Sequence, residues 1–327
     1  MRQGGALHLA AVLVAVLAGA SLPLGAAAQA EPPTMEGLAY LLDMSAASHA
    51  QVEINELAAD KAEDEAVRAF AEGLAGEHAA RSAALAEIAA AFGVEPVAEL
   101  DRVSERRLEA LRGLSGPAFD AEYVAGQVPV LYAQGWVHRR AARHVAEAPI
   151  REAAGAAIAP TEASYDAALE LALAREDDLP EGLHPWDADA VVFGMNVDLA
   201  QIALGELVLG ESEDEEVRAF ARRMVEEHGQ LLAAFTEQAE RHGLAPVAEP
   251  GPVERRLYAY LSGLSGRELD LEYMSAQVIF HDNWYKRIEF VGHNGRDDAV
   301  RELAAAGHAG GMAHHDSAYG VVLGRRR

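Results

Sequence analysis

Residues 66–78 read AVRAFAEGLAGEH, and 150 positions later residues 216–228 read EVRAFARRMVEEH. A long-period echo of this kind restricts the fold more than any local propensity, because it requires one structural unit to be built twice. Val67, Phe70 and Leu74 recur at i, i+3 and i+7, as do Val217, Phe220 and Met224. The repeated element is therefore an amphipathic helix. At 327 residues the chain is long enough for two domains of ordinary size. Aromatics make up only 6% of it, and long alanine-rich segments leave little room for alternating strand patterns. The expected class is all-α.

The N-terminus is read separately. Arg2 supplies a positive n-region, Ala6 to Leu17 an apolar h-region, and Ala28-Gln29-Ala30 a cleavage site before Glu31. Residues 1–30 are expected to be a signal peptide, and the mature chain to be exported to the periplasm or cell envelope. No second long apolar anchor is expected, so stable membrane insertion after cleavage is not. The chain has no cysteine, which rules out both disulfides and a lipid-modified cysteine. Its 52 acidic residues outnumber 27 basic ones, and removing Arg2 leaves 52 − 26 = 26 excess negative charges. Such a surface repels nucleic acid and anionic lipid. The Arg325 to Arg327 tip, within a basic tail at 324–327, is too short to reverse that field.

Helix signals divide the rest. Thr34 is an acceptable N-cap for a first helix, and Asp64 opens a second that ends at Gly93. A short amphipathic piece around Glu105-Arg106-Arg107-Leu108 follows, then a third long helix from about Phe119 and a fourth opened by Pro149. Four such helices with short connections predict an up-and-down four-helix bundle over 31–174. Residues 175–189, REDDLPEGLHPWDAD, lose periodicity and are expected to be a linker. A second bundle is expected over 190–323. Pro160 aligns with Gly310, next to Gly311, which suggests a shared kink in the fourth helices.

Both copies also share a longer pattern. Copy one shows Glu56-Leu57-Ala58, Val67 to Ala71, Glu77-His78, Leu114 to Gly116, then Asp120, Tyr123 and Gln127-Val128. Copy two shows Glu206-Leu207, Val217 to Ala221, Glu227-His228, Leu264 to Gly266, then Asp270, Tyr273 and Gln277-Val278. This combination resembles a bacterial ferritin-like domain family of unknown function whose members are often labelled predicted outer membrane proteins. The resemblance implies two tandem ferritin-like bundles, exported, with no established reaction. It also implies a histidine one turn past the Tyr-x-x-x-Gln pair and another in the last helix. Copy two has His281 and His314 or His315 at those places, whereas copy one has Leu131 and Ser164 or Tyr165.

A ferritin-like di-iron site needs a Glu from each of two helices and a Glu-x-x-His pair from each of the others. Neither copy supplies that set. The literal Glu-x-x-His at Glu181 to His184 lies between prolines in the expected linker. A looser set remains in copy two: Tyr273, Gln277 and His281 share one face of the third helix, where His228 and His314 or His315 could approach. Imidazoles suit zinc, copper, iron or nickel, with Tyr273 and Gln277 as supporting polar groups. The same residues could instead hydrogen-bond across the bundle and fix its register. Nucleophilic elbows and glycine-rich phosphate loops are missing from the sequence. Composition and motifs thus favour an envelope structural or interaction module with no cofactor and an unidentified protein partner, possible in any oligomeric state. The alternative is a metal-binding or metal-dependent redox protein whose ion sits among His228, His281, His314 and His315.

Overall fold

The structure, a computed structural model, describes residues 31–325. The expected signal peptide and the last two arginines lie outside the described residues. Ten α-helices make up the described chain, with no strand among the described residues. The first half contains α1 (Met35–Lys61), α2 (Glu65–Ala91), α3 (Arg102–Gly113), α4 (Gly116–His144) and α5 (Ala148–Leu173). The second contains α6 (Pro185–Glu211), α7 (Glu215–Arg241), α8 (Pro252–Ser262), α9 (Gly266–Asn294) and α10 (Asp298–Arg325).

Local chemistry sets the boundaries. Thr34 Oγ1 accepts from the Gly37 amide, and Asp64 and Asp214 each accept two amides at the starts of α2 and α7. Gly93 and Gly243 end those helices with φ of 69° and 67°, a conformation that costs glycine nothing. Two motif residues are structural fasteners. Arg68 and Arg218 donate to carbonyls at the C-terminal ends of α1 and α6, while Asp120 and Asp270 tie the starts of α4 and α9 to the turns before α2 and α7.

Within each half, α1 packs on α2 and α4 on α5, as α6 packs on α7 and α9 on α10, and the two hairpins close into a four-helix bundle. The linker is shorter than expected. A 3-10 turn covers Glu176–Asp178, and α6 already begins at Pro185, capped by the His184 ring, which accepts from the Trp186 amide at 3.2 Å. The Glu181 to His184 pair therefore serves helix initiation. Helix α6 is apolar enough along its length to cross a membrane by composition, but most of its side chains are buried by protein on every side.

The two bundles are not independent bodies on a tether. One apolar cluster runs from Ile54 and Tyr123 in the first half to Tyr273 and Val300 in the second. Helices α4 and α9 cross at its centre, flanked by α1 and α6. The crossing is pseudo-symmetric. Trp136 and Lys286 occupy equivalent positions (136 + 150 = 286), and they meet each other with Lys286 Nζ 4.3 Å from the indole centre. A residue touching its own counterpart marks a two-fold axis.

Reciprocal contacts around that axis carry different chemistry. On one side Arg140 joins Glu36 (3.0 Å) and Asp282 (2.7 Å). Adding or subtracting 150 gives Phe290, Trp186 and Tyr132, and these three rings pack together on the other side, Phe290 lying 5.1 Å from Trp186 and 5.4 Å from Tyr132. Further fastening comes from Arg107, whose Nε donates to Asp189 at 2.6 Å across the halves. Both α5 and α10 run unbroken through Pro160 and Gly310. Gly311 has its own reason: a Cβ there would fall 2.1 Å from the Tyr285 ring.

Candidate metal centre

Each of the four long helices of the second bundle sends one polar side chain to a common point inside it. Asp198 comes from α6, His228 from α7, His281 from α9 and His314 from α10, and all four are buried. The spacing explains why. Val217, Ala221, Met224 and His228 form the buried stripe of α7 at intervals of three or four residues, and Tyr273, Gln277, His281 and Tyr285 form that of α9. On α10 the stripe passes through Gly307 and Gly311 to His314, and the gap at Gly311 admits the Tyr285 ring. That ring stacks on His281 at 5.3 Å and fixes the plane of its imidazole.

Hydrogen bonds assign the ring nitrogens. His281 Nδ1 lies 2.7 Å from the Gln277 carbonyl, which can only accept, so Nδ1 carries the proton and Nε2 the lone pair. His314 Nε2 lies 2.6 Å from a Glu227 carboxylate oxygen, which leaves Nδ1 as its lone-pair nitrogen. His228 Nδ1 lies 2.7 Å from Asp198 Oδ1. With Asp198 ionised, His228 Nε2 becomes the third lone pair, and it has no hydrogen-bond partner. One ring nitrogen from each histidine lies within 4.8 Å of the other two, and His281 Nε2 and His314 Nδ1 face each other at 3.2 Å. Two lone pairs at that distance repel unless a proton or a cation lies between them.

Burial keeps the rings neutral. It lowers His228 and His314 to about 4, with Glu227 pulling His314 the other way, and it takes His281 well below the usual histidine range. The same burial pushes Asp198 well above the usual carboxylate range. A cation beside His228 would oppose that push. Neutral imidazoles backed by carboxylate or carbonyl acceptors are what a first-row metal ion requires of its ligands and of the groups that orient them. Three histidines with one position left open is also the ligand count of metal sites that exchange a ligand. On donor type, tautomer and proximity, these residues fit a metal ion.

The surroundings lack partners of their own. The Tyr273 hydroxyl and both amide atoms of Gln277 are buried without a hydrogen bond, as is the Gln201 amide one turn from Asp198. His315, the other candidate on α10, faces away and lies 3.1 Å from Asp316 at the surface. It does not belong to the cluster. Asp198 and Glu227 were not anticipated as partners of the histidines. The sequence contains a signal for the first, Asp198 and Gln201 spaced one turn apart in the mostly apolar middle of α6.

The equivalent place in the first bundle is built differently. His78 keeps its position, but Leu131 and Ser164 replace His281 and His314, and Ser48 replaces Asp198. Asn55 there accepts from the Tyr123 hydroxyl at 2.7 Å and from Gln127 Nε2 at 3.3 Å. A glycine, Gly205, stands at the matching position of the second bundle.

A family model described as Domain of unknown function (DUF4142) matches the chain twice, over residues 22–171 and 174–320. The chain belongs to that family and contains two tandem copies of its domain. No curated protein and no solved structure matches it.

Proposed function

As a two-copy member of a family without an assigned activity, this chain is, we propose, an exported metal-binding protein whose second bundle holds one first-row transition ion. His228 Nε2, His281 Nε2 and His314 Nδ1 are the ligands. Asp198, the Gln277 carbonyl and Glu227 orient them. The observation that carries this reading is the set of three outward hydrogen bonds, which leaves three inward lone pairs with no donor between them. Zinc and copper both suit three imidazoles. The ion would supply positive charge and an open coordination position. The protein's part is to hold the rings neutral, fixed in plane and shielded from water.

The role as an envelope structural or interaction module is the second reading, and it is compatible with the first bundle, where Asn55 accepts from Tyr123 and Gln127 and no imidazole triad forms among the described residues. Export rests on the N-terminal pattern of Arg2, the Ala6 to Leu17 run and the Ala-Gln-Ala site. Elemental analysis of protein purified from the periplasm tests the main proposal. One equivalent of metal, lost in His281→Ala, supports it. A wild-type chain that retains no ion after incubation with zinc or copper sinks it.

A further inference from the structure

A cavity of about 90 Å³ lies where α1 and α4 meet α8 and α9, with the first residues of α3 and a ring from α6 completing its wall. Its lining comes in pairs related by the 150-residue offset. Gln134 faces it together with its counterpart Trp284, Val137 with Arg287, and Ala133 with Asn283. Asp43 is matched by Phe193 and Glu254 by Ser104 in the same wall. The cavity therefore straddles the pseudo-two-fold axis. In each of these five pairs one member is charged or amide-bearing and the other is apolar or small, while Val103 and Val253 keep the same residue, so duplication followed by divergence has made an asymmetric polar site on a symmetric frame.

Its polar groups are incompletely served. Gln134 is 2% exposed and neither atom of its amide has a partner, and the Oδ1 of buried Asn283 has none either. Buried amides ordinarily find partners, so two that point into a cavity without one indicate something that enters it. Charges of both signs are also under-compensated. Burial raises Asp43 and Glu254 to about 7, and it lowers Arg287 from its usual value. Arg107 is not available, since its guanidinium is taken by Asp189.

A metal ion does not fit. Among the described residues the histidine triad is the only group of three potential ligands that converges within 4.8 Å, so Asp43, Asp101 and Glu254 in the cavity wall do not form a three-ligand ion site. A molecule bearing a donor-rich cation at one end and an anion at the other would meet both sets. The volume limits it to something smaller than benzene, which needs a cavity of about 150 Å³.

We propose that this inter-bundle cavity binds a small zwitterion of the α-amino acid class. Its ammonium group is held by Asp43 and Glu254, its carboxylate by Arg287, and the Gln134 and Asn283 amides complete the contacts. The site depends on both halves and is separate from the histidine cluster, so neither proposal needs the other.

Titration calorimetry on the full mature chain, stripped of metal so that glycine cannot report by ligating an ion, tests this with glycine and alanine as probes. One site is expected, weakened about tenfold or more in Asp43→Asn and in Gln134→Leu, as loss of a contact to a charged group predicts. His315→Ala, at the surface and outside both sites, should bind glycine as the wild type does. Methylammonium and acetate, each half of the probe, should bind far more weakly than glycine. The proposal is overturned if neither amino acid binds, if methylammonium binds as tightly as glycine, or if both cavity variants bind like the wild type. Those outcomes leave the cavity to ordered water or to a simple cation.

Discussion

The two bundles place the same Tyr-x-x-x-Gln pair and the same helix-two histidine at the same depth, yet only one of them gives the tyrosine hydroxyl a partner. In the first, Asn55 accepts from both Tyr123 and Gln127, Leu131 and Ser164 stand at the positions of the two further imidazoles, and His78 Nδ1 lies 3.4 Å from the Arg81 guanidinium. In the second, Gly205 takes the place of Asn55, the Tyr273 hydroxyl and the Gln277 amide go without partners, and three imidazoles converge instead. Buried polar groups are costly when unmet. The first bundle meets part of that cost internally with one asparagine, which serves the Tyr123 hydroxyl and Gln127 Nε2. The second leaves it open in a way that a bound ion, with the water or ligand in its open position, would close. One helical plan thus supports both a core tied by an asparagine and a core of converging imidazoles, and a few substitutions separate them.

The largest effect that sharpens this contrast falls on Asp198. Asp198→Asn should reduce metal affinity by about tenfold to a hundredfold, because the acceptor that orients His228 is weakened. Ser48→Ala, at the matching place in the first bundle, should leave metal content unchanged. Competition with a chromogenic chelator measures both, and equal affinities for Asp198→Asn and wild type would break the comparison.

An effect of similar size is expected of Asn55→Ala, which strips two buried groups of their shared acceptor at once. A loss of roughly 2–3 kcal/mol of stability is expected, with no change in bound metal. Denaturant unfolding monitored by circular dichroism provides the number. A neutral result would mean that Tyr123 and Gln127 find other partners, and the difference between the cores would vanish.

The smallest effect concerns pH and the interface. Glu254, raised to about 7 by burial and by Asp101, accepts from Asn196 and is opposed by Arg287. Because its folded value lies above its unfolded one, its contribution to stability is complete below about pH 4 and is lost as pH rises through about 7. Glu254→Gln should therefore flatten that part of the stability profile and stabilise the protein at pH 8 by about 1 kcal/mol or more. Urea midpoints measured from pH 5 to 8 would show it. Identical slopes for variant and wild type would remove the titration from Glu254. The buried histidines act in the opposite sense. His78 and His138, lowered to about 3, withdraw stability as pH falls below about 6.5.

Helix identity was readable from the sequence because periodicity, caps and the 150-residue echo all point the same way. Thr34, Asp64, Asp214 and Gly93 fall where the capping rules place them. The linker was misjudged because Pro185 reads as a breaker, although proline in the first turn of a helix starts one. The packing of one half on the other is not legible in the sequence for a different reason. Shared burial depends on which faces of α4, α6 and α9 meet. Helices that are apolar nearly all round, such as α6, do not reveal whether their second face meets their own bundle or the next. His228, His281 and His314 were visible as a spacing, but the partners that set their tautomers come from helices with no sequence neighbour in common. His314 and His315, adjacent in the chain, could be told apart only once the rotation of α10 was known.

The most direct test is anomalous diffraction from crystals of the wild-type chain soaked in zinc. One peak is predicted in the second bundle, within bonding distance of His228 Nε2, His281 Nε2 and His314 Nδ1, with none beside His78. A featureless map at the triad, or a peak of equal height beside His78, would contradict the claim that the second bundle alone is built around an ion.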